Sequence, residues 1–282
     1  GVYKTWLAWE IAVSIASGTK LFNLHECKKG KVLIFNAEDS LPDTTRTRIE
    51  AIASHKKVKL ADLELNHLNI ISITLNEKKF QEDFEITVSK YKPNFIILDP
   101  LINMHSLDED NATEMSKLLK FLRKINKEYS CSILLVCHNK KSSNANGNDL
   151  GAQVRGSSVI VGWRDVALFL KKKKDKMIEA PTYNRSISSL APFFFELKIE
   201  NNREGNLSKA YLKVTTPDQI VDEKRQEILK SIKSIISEDG PISGNKIQKK
   251  LEMNRPKCLE LVNDLLKSEE IKNTKKGLVI ND

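Results

Sequence analysis

The chain has 282 residues, of which 40% are hydrophobic and 29% charged, and its formal net charge at pH 7 is +9. That length accommodates one large domain and a smaller one, and no apolar run approaches the roughly 18 residues that cross a bilayer, so we predict no membrane-spanning segment. The positive charge favours a polyanionic partner, with a lysine-rich host proteome as the alternative explanation. We expect reduced thiols, a cytoplasmic protein and no structural zinc, because the four cysteines are scattered without a C-x-x-C pair or a nearby histidine: Cys27, Cys131, Cys137 and Cys258.

The chain opens on Gly-Val-Tyr-Lys-Thr (residues 1–5) and continues into an apolar segment that predicts a helix from Trp6 to Ser17. A lysine and a hydroxyl at a helix N-terminus supply the cation, the metal-binding oxygen and the free N–H groups that hold nucleotide phosphates. A chance Lys-Thr pair at a helix start is the alternative. Tyr3 stands where a glycine is usual, and because the chain starts inside the motif we expect the natural protein to be longer. The candidate nucleotide-binding residues are Gly1, Tyr3, Lys4 and Thr5, with Thr5 also a candidate Mg²⁺ ligand.

The next part of the chain alternates short apolar strands with helices. Strands that are apolar throughout and alternate with helices are typical of a parallel sheet that helices cover on both faces. The predicted fold class is therefore α/β with a mostly parallel sheet, which two later strands (193–199 and 210–214) are expected to extend at an edge. The predicted strands are 31–35, 68–72, 95–98, 131–136 and 166–170, and the predicted helices are 44–54, 78–90 and 112–128.

Polar side chains follow three of these strands. Glu38 comes after the first strand, Asp99 ends Phe-Ile-Ile-Leu-Asp, and His138 ends Ile-Leu-Leu-Val-Cys-His. Ligands bind at the carboxyl edge of open α/β sheets. Asp99 is therefore a candidate Mg²⁺ ligand, Glu38 a candidate general base and His138 a candidate sensor of the γ-phosphate. The alternatives are helix caps for the carboxylates and a structural role for the histidine.

Arg155 follows a polar segment rich in glycine, asparagine and serine, which we expect to be a mobile loop (139–149). An arginine in this place either completes the nucleotide site of a neighbouring subunit or is an ordinary solvated side chain.

The character of the sequence changes after the lysine-rich run 171–176, and Pro217-Asp218 is predicted to be a linker. Beyond it we predict helices at 223–237, 245–251 and 255–268 and a hairpin at 270–280 with its turn at Lys276-Gly277, an order that describes a winged helix-turn-helix. The predicted domains are therefore 1–216 and 217–282. Duplex DNA is a candidate ligand of the second domain, with protein as the alternative, because of its basic side chains Lys246, Lys249, Lys250, Arg255 and Lys257.

The combination of motifs resembles one family, the RepA-type hexameric replicative helicases of plasmids, within the RecA-like ATPases. The resemblance covers roughly residues 1–215, and the motifs that carry it are Lys4-Thr5, Asn-Ala-Glu-Asp-Ser (36–40), Ile-Leu-Asp-Pro-Leu (97–101), Asp-Glu-Asp-Asn (108–111), Cys-His-Asn-Lys-Lys (137–141) and Arg-Gly-Ser-Ser (155–158). The resemblance implies a RecA-like sheet with a site for ATP and Mg²⁺. It implies that Lys4 and Thr5 bind phosphate and Mg²⁺ and that Asp99 is a further ligand of the metal. It also implies that Glu38 is the catalytic base, that His138 senses the γ-phosphate and that Arg155 is an arginine finger that acts in the neighbouring subunit.

Two functions follow as hypotheses. The first is a replicative helicase of a plasmid or mobile element, which couples Mg²⁺-dependent ATP hydrolysis to movement on single-stranded DNA. Its subunits would pack head to tail in a homo-oligomeric ring, which the resemblance indicates is a hexamer. The loop 139–154 and the lysine run 171–176 are then candidate DNA contacts, with a solvated turn as the alternative for the lysine run. The second is an ATP-switched DNA-binding regulator or loader without helicase activity. A pseudoenzyme is a third reading, because Tyr3 departs from the usual glycine.

Overall fold

A computed structural model describes residues 3–37, 42–69, 74–138, 158–173, 177–188 and 192–281. The chain divides into two compact units, residues 1–214 and residues 215–282. Gly1, Glu38 and Arg155 lie outside the described residues, and so does the predicted loop at 139–154. Within the described ranges, none of the helices combines the length and apolar character that crossing a membrane requires.

The first unit combines five helices and ten strands among its described residues. The helices are α1 (Lys4–Ser17), α2 (Pro42–His55), α3 (Lys78–Tyr91), α4 (Ala112–Glu128) and α5 (Ser158–Trp163). The strands are β1 (Val32–Asn36), β2 (Leu65–Asn69), β3 (Phe95–Asp99), β4 (Ser132–Leu135), β5 (Val166–Leu168), β6 (Lys171–Lys172), β7 (Ile178–Ala180), β8 (Thr182–Asn184), β9 (Phe193–Asn201) and β10 (Leu207–Thr215).

A four-stranded sheet of order β2-β1-β3-β4 forms the centre of this unit, and each neighbouring pair is parallel. Alternate strand residues face opposite sides of a sheet. Leu33 and Ile96 therefore pack under α3 and α4, whereas Ile34 and Ile97 pack under α1 and α2. Helices thus cover both faces, as the continuous apolar strands predicted, and the arrangement fits a RecA-like fold.

Two predictions about the edge of this sheet are wrong. β5 is only three residues long and pairs antiparallel with β8 instead of joining the parallel sheet. Strands β9 and β10 do not extend the parallel sheet either, because they belong to a separate sheet of order β10-β9-β7-β6. The physical reason is a second core: Phe195 of β9 and Leu212 of β10 bury their side chains in a cluster with Leu7 of α1, and that burial holds these strands on the helix.

Helix α1 lies between the two cores. One face packs against the parallel sheet through Trp9, Ala12, Val13 and Ala16. The opposite face packs on the second sheet through Tyr3, Leu7 and Ile11, which are spaced by four residues and so form one stripe along the helix. We call the residues on that side the second-sheet cluster, whose buried members are Leu7, Leu170, Ile178, Ala180, Phe195 and Leu212. A helix that is apolar on both sides is a buried helix.

A buried ion pair joins α1 to the residue that follows α2. Glu10 Oε1 lies 2.8 Å from Lys56 Nζ, and the two side chains are 3% and 2% exposed. Lys56 Nζ also donates to the Lys20 carbonyl, at 3.0 Å. Burial raises the pKa of the Glu10 carboxyl, while the charge of Lys56 and hydrogen bonds from Lys56 and the Leu212 backbone lower it. The net direction is upward, so desolvation is the largest influence on this pair.

The second unit contains three helices and a two-stranded antiparallel hairpin: α6 (Pro217–Asp239), α7 (Gly244–Lys250), α8 (Arg255–Lys267), β11 (Ile271–Thr274) and β12 (Gly277–Ile280). Its core is formed by apolar side chains from all five elements, among them Ile236, Ile247, Leu261, Ile271 and Leu278. The predicted linker at Pro217-Asp218 is wrong, because Pro217 is the first residue of α6 and Thr216 and Gln219 form a capping box around it. The hairpin turn lies one residue earlier than predicted, between Thr274 and Gly277.

Gly277 gives a prediction for the stability of the second unit. Its φ is +136°, and a Cβ placed there lies 2.8 Å from the backbone nitrogen of Ile242. We expect Gly277→Ala to destabilise this unit by about 2 kcal/mol, because both the strained backbone and the contact with main-chain atoms oppose the side chain. Hydrogen exchange of the β11–β12 amides in the full chain measures the loss. Gly244→Ala is the matched control, since its Cβ meets only Leu259, at 3.9 Å. Equal exchange in the two variants contradicts the prediction.

Candidate functional site

The carboxyl ends of β1, β3 and β4 meet at one edge of the parallel sheet. Asn36 is in register with Asp99, and the Ala37 N–H donates to the Asp99 carbonyl, at 2.9 Å. On the other side, the Val136 N–H donates to the Leu98 carbonyl, at 3.0 Å. The Asp99 side chain is fully buried here. The last residues of β1, β3 and β4 therefore lie side by side at one edge of the sheet, as parallel pairing requires.

The N-terminus of α1 belongs to the same unit and presents backbone donors. The first backbone bond of the helix runs from the Leu7 N–H to the Tyr3 carbonyl, at 3.0 Å. Tyr3 caps the helix with a left-handed backbone, φ 56° and ψ 28°, and its side chain makes no cap bond among the described residues. The N–H groups of a helix's first turn point out of the helix and carry partial positive charge. This geometry suits an anion at Lys4 and Thr5.

Lys4 reaches the sheet edge directly. Its Nζ donates to the Cys137 carbonyl, at 2.8 Å, and lies 3.3 Å from Nδ1 of His138. Because an ammonium group has no acceptor, Nδ1 is the acceptor in the second contact, and the proton of a neutral His138 ring is then on Nε2. Burial is the main influence that raises the pKa of the Cys137 thiol, to about 12, so this neighbour of Lys4 stays uncharged.

The structure therefore brings some of the predicted site residues together. Lys4 and His138 are in contact, and Asp99 ends the strand next to the one that precedes His138. Thr5 is half-buried in the first turn of α1. The Tyr3 side chain, by contrast, packs on the second-sheet cluster. Gly1, Glu38 and Arg155 lie outside the described part of the chain. The roles predicted for all of the site residues remain predictions.

These groups have the chemistry that a nucleotide and its metal require. A buried carboxylate and a threonine hydroxyl are hard oxygen donors of the kind Mg²⁺ prefers, whereas an ammonium at a helix N-terminus complements phosphate oxygens. Asp99 and Thr5 are therefore suited to Mg²⁺ and Lys4 to phosphate. Among the described residues there is no cluster of three or more histidine, cysteine or carboxylate side chains that would hold a metal by itself. A metal shared with phosphate oxygens fits these donors.

Comparison with known proteins identifies the family. Residues 1–144 match the family model described as the AAA domain, which is just over half of the 282 residues. The chain belongs to the AAA domain family. The AAA domain match spans α1 to β4 and so includes Lys4, Asp99 and His138. The match supports an ATPase of the P-loop type, a class that binds nucleotides.

Two groups at the carboxyl edge of the parallel sheet were not predicted from the sequence. One is the Cys137 carbonyl, which accepts from Lys4. The other is Asn103, in the 3₁₀ turn Leu101–Met104 after β3, whose Nδ2 donates to the Ala37 carbonyl, at 3.1 Å. Ala37 is thereby bonded through its N–H to Asp99 and through its C=O to Asn103. The backbone N–H and C=O of Ala37, which precedes Glu38, are therefore both held by hydrogen bonds to β3 and to the turn that follows it. No sequence signal marks an asparagine that bonds a carbonyl 66 residues away.

Asn103 gives a prediction for turnover. If Glu38 is the general base, as predicted, we expect Asn103→Ala to lower kcat for ATP hydrolysis by about tenfold with little change in KM. A small displacement of the backbone beside a general base affects the reacting geometry more than substrate binding. Steady-state hydrolysis assays separate the two constants. Asn76→Ala is the matched control, since Asn76 bonds Ser106 and not the edge. A variant whose kcat stays within twofold of the parent value rules out this role.

Proposed function

We propose that the chain is a Mg²⁺-dependent ATPase that couples hydrolysis to movement on single-stranded DNA as one subunit of a homo-oligomeric ring, a replicative helicase of a plasmid or mobile element. The observation that carries the ATPase part is the contact of Lys4 with His138 at the strand edge where Asp99 is buried. A cation, a neutral donor and a carboxylate at one edge are what a bound triphosphate needs.

In this proposal each side chain has one task. Lys4 binds the phosphates by its charge, and the Thr5 hydroxyl and the Asp99 carboxylate hold Mg²⁺, which supplies charge neutralisation across the phosphates. Glu38 accepts the proton of the attacking water. His138 donates a hydrogen bond from Nε2 to the γ-phosphate, because its Nδ1 accepts a hydrogen bond from Lys4. Arg155 acts on the site of the neighbouring subunit, so full activity depends on assembly.

The distribution of charge favours DNA at the ATPase unit. Residues 1–214 carry 33 lysines and arginines against 25 aspartates and glutamates, whereas residues 215–282 carry 13 against 12. The excess of positive charge therefore belongs almost entirely to the first unit, and such an excess is the usual electrostatic mark of polyanion binding. Lys172 of the edge strand β6 is exposed and belongs to this excess.

We further propose that the second unit is a winged helix that binds duplex DNA. Its element order of three helices and a hairpin supports this, as do exposed basic side chains that have no ionic partner among the described residues: Lys246, Lys249, Arg255, Lys257, Lys275 and Lys276. Lys250 does not count toward this surface, because its Nζ lies 2.6 Å from Asp239. The acidic residues of α8, Glu260 and Asp264, are both bound by Arg225 of α6, which reduces their repulsion of phosphate.

A strand-displacement assay on a forked DNA tests the proposal. We expect ATP- and Mg²⁺-dependent displacement by the parent chain, and none by Lys4→Ala or Arg155→Ala. Mass measurement in solution, with an ATP analogue and DNA, should show a ring of several subunits. ATP hydrolysis without displacement, by a chain that stays monomeric under all these conditions, overturns the helicase proposal.

The second candidate is an ATP-switched DNA-binding regulator or loader, which the compact second unit favours because such a module binds duplex DNA without unwinding it. ATP-dependent changes in duplex affinity without displacement support this candidate. Loss of hydrolysis in Glu38→Gln, with nucleotide binding retained, excludes the pseudoenzyme reading for either candidate, since only a catalysed reaction depends on a general base.

A further inference from the structure

Tyr3 has a backbone conformation that its side chain opposes. Its φ of 56° and ψ of 28° are left-handed, a region that glycine enters freely and that a residue with a Cβ enters at a cost. A glycine is therefore the residue that local backbone energetics favour at this position. A tyrosine here needs a compensating contact elsewhere in the fold.

The compensating contact is with the second sheet. The Tyr3 ring packs on the second-sheet cluster, where it continues the stripe formed by Leu7 and Ile11 along α1. Phe195 and Leu212, from the two longest strands of that sheet, are 0% and 3% exposed in the same cluster. The ring thus covers an apolar surface that a glycine would leave open to water.

The next residue along the chain points to a different sheet. Lys4 Nζ meets the Cys137 carbonyl and His138 at the edge of the parallel sheet, one residue after a side chain packed on the antiparallel sheet. The Tyr3 carbonyl in turn accepts the first backbone hydrogen bond of α1, from Leu7. The start of the helix and the direction of Lys4 are consequently fixed between two separate packing surfaces.

We propose that Tyr3 is a positioning residue through which the second sheet sets the affinity of the site for ATP. This inference rests on the proposed ATP site and adds a regulation that a glycine at this position cannot provide. A change in the packing of β9 and β10 shifts the position of the Tyr3 ring. Because Tyr3 precedes the first turn of α1, this shift also displaces Lys4. The ring is needed for this role, whereas its hydroxyl is not.

Binding of a non-hydrolysable ATP analogue, with Mg²⁺, to the full chain tests the inference. We expect Tyr3→Phe to bind within about twofold of the parent, and Tyr3→Gly to bind about fivefold or more weakly although the glycine removes the backbone strain. Thermal unfolding of each variant shows whether it is folded. Leu212→Val is a second, milder variant on the sheet itself and should weaken binding in the parent but not in the Tyr3→Gly background. Ile125→Val, in the core on the other side of the parallel sheet, is the control that should change nothing.

The outcomes separate this inference from the proposed function. A parent chain that does not bind the analogue overturns both. A parent that binds it, together with a Tyr3→Gly variant that binds as tightly or more tightly, overturns the inference alone and shows that the loop works as an ordinary glycine loop. Additive effects of Tyr3→Gly and Leu212→Val also overturn it, because residues that act through one contact are not additive.

Discussion

Replacement of Lys4 by alanine is expected to lower ATP turnover by at least about 100-fold, because a preorganised cation at the phosphates stabilises charge that water cannot reach as effectively. The ammonium already lies at the sheet edge, 2.8 Å from the Cys137 carbonyl and 3.3 Å from His138. Its removal takes away the proposed lysine contact with the phosphates and also the group that fixes the tautomer of a neutral His138 ring. A coupled assay of phosphate release, with nucleotide affinity measured in parallel, gives the effect on each step.

Two further variants make the Lys4 experiment specific. Lys4→Arg keeps the charge but replaces a compact ammonium with a planar guanidinium, so we expect turnover to stay well below that of the parent. Lys20→Ala removes an exposed lysine that is paired with Glu26 beyond the end of α1 and should leave turnover unchanged. Retention of a third or more of the parent turnover in Lys4→Ala would show that this lysine does not hold the phosphates.

The second large effect is expected at the buried pair of Glu10 and Lys56. Lys56→Met leaves the carboxylate of Glu10, on α1, buried without its partner, and we expect a loss of about 3–5 kcal/mol in the free energy of unfolding. Glu10→Gln leaves the ammonium without its counter-ion and should destabilise for the same reason. The double variant Glu10→Leu/Lys56→Met removes both charges, and we expect it to recover most of the loss, because apolar residues of similar volume replace buried ion pairs at little cost.

Urea denaturation followed by tryptophan fluorescence measures these changes. All three tryptophans belong to the first unit, and Trp6 and Trp9 lie on α1 with ring centroids 5.8 Å apart, so the signal reports on the helix that carries Glu10. Glu50→Gln is the control, because Glu50 pairs with Arg46 on the surface and exposed pairs contribute about 1 kcal/mol or less. Single variants as stable as this control would mean that the pair is not essential to the packing of α1.

The predictions that succeeded rest on patterns that are local in the chain. The apolar stripe of α4 predicts a helix from Ala112 to Glu128, which is where the helix lies. The residue before it, Asn111, accepts from the Thr113 and Glu114 N–H groups and so caps the helix. A stripe and a cap are both complete within a few turns of chain, so they can be read without knowledge of the rest of the fold.

The start of α6 shows how a local signal can also be misread. A proline followed by an aspartate suggests a linker, yet Pro217 is the first residue of the helix. Thr216 and Gln219 form the capping box around it. Because the N–H groups of a helix's first turn have no partner within the helix, a proline there costs no hydrogen bond, and the same residue fits both a linker and a helix start.

The predictions that failed depend on pairing between distant parts of the chain. The apolar segment 166–170 predicts a strand of the parallel sheet, yet Val166 is 62% exposed and β5 pairs with β8. Apolar composition indicates that a strand will be buried, but it does not say on which partner. The separate sheet built from β9 and β10 depends on burial against α1, at the opposite end of the first unit's sequence, and no short-range pattern records that contact.

The candidate site was predictable to the extent that it follows the rule for parallel sheets. Because ligands bind at the carboxyl ends of strands, the sequence alone placed Asp99 and His138 at one edge, and the structure puts His138 against Lys4. The rule says nothing of main-chain acceptors or of side chains that hold a neighbouring loop. The contributions of the Cys137 carbonyl and the Asn103 amide are therefore visible only in the folded structure.

The position of α1 between two cores has a consequence for biosynthesis. Its two apolar sides are covered by residues made at very different times: the parallel sheet is complete with β4, whereas β9 begins only at residue 193 and β10 follows it. Until the ribosome has released those later strands, Leu7 and Ile11 lack the part of their cover that Phe195 and Leu212 provide. A nascent chain with an incompletely covered apolar helix is a substrate for chaperones and prone to aggregation. Slow translation between β4 and β10 should therefore lower the soluble yield of the protein.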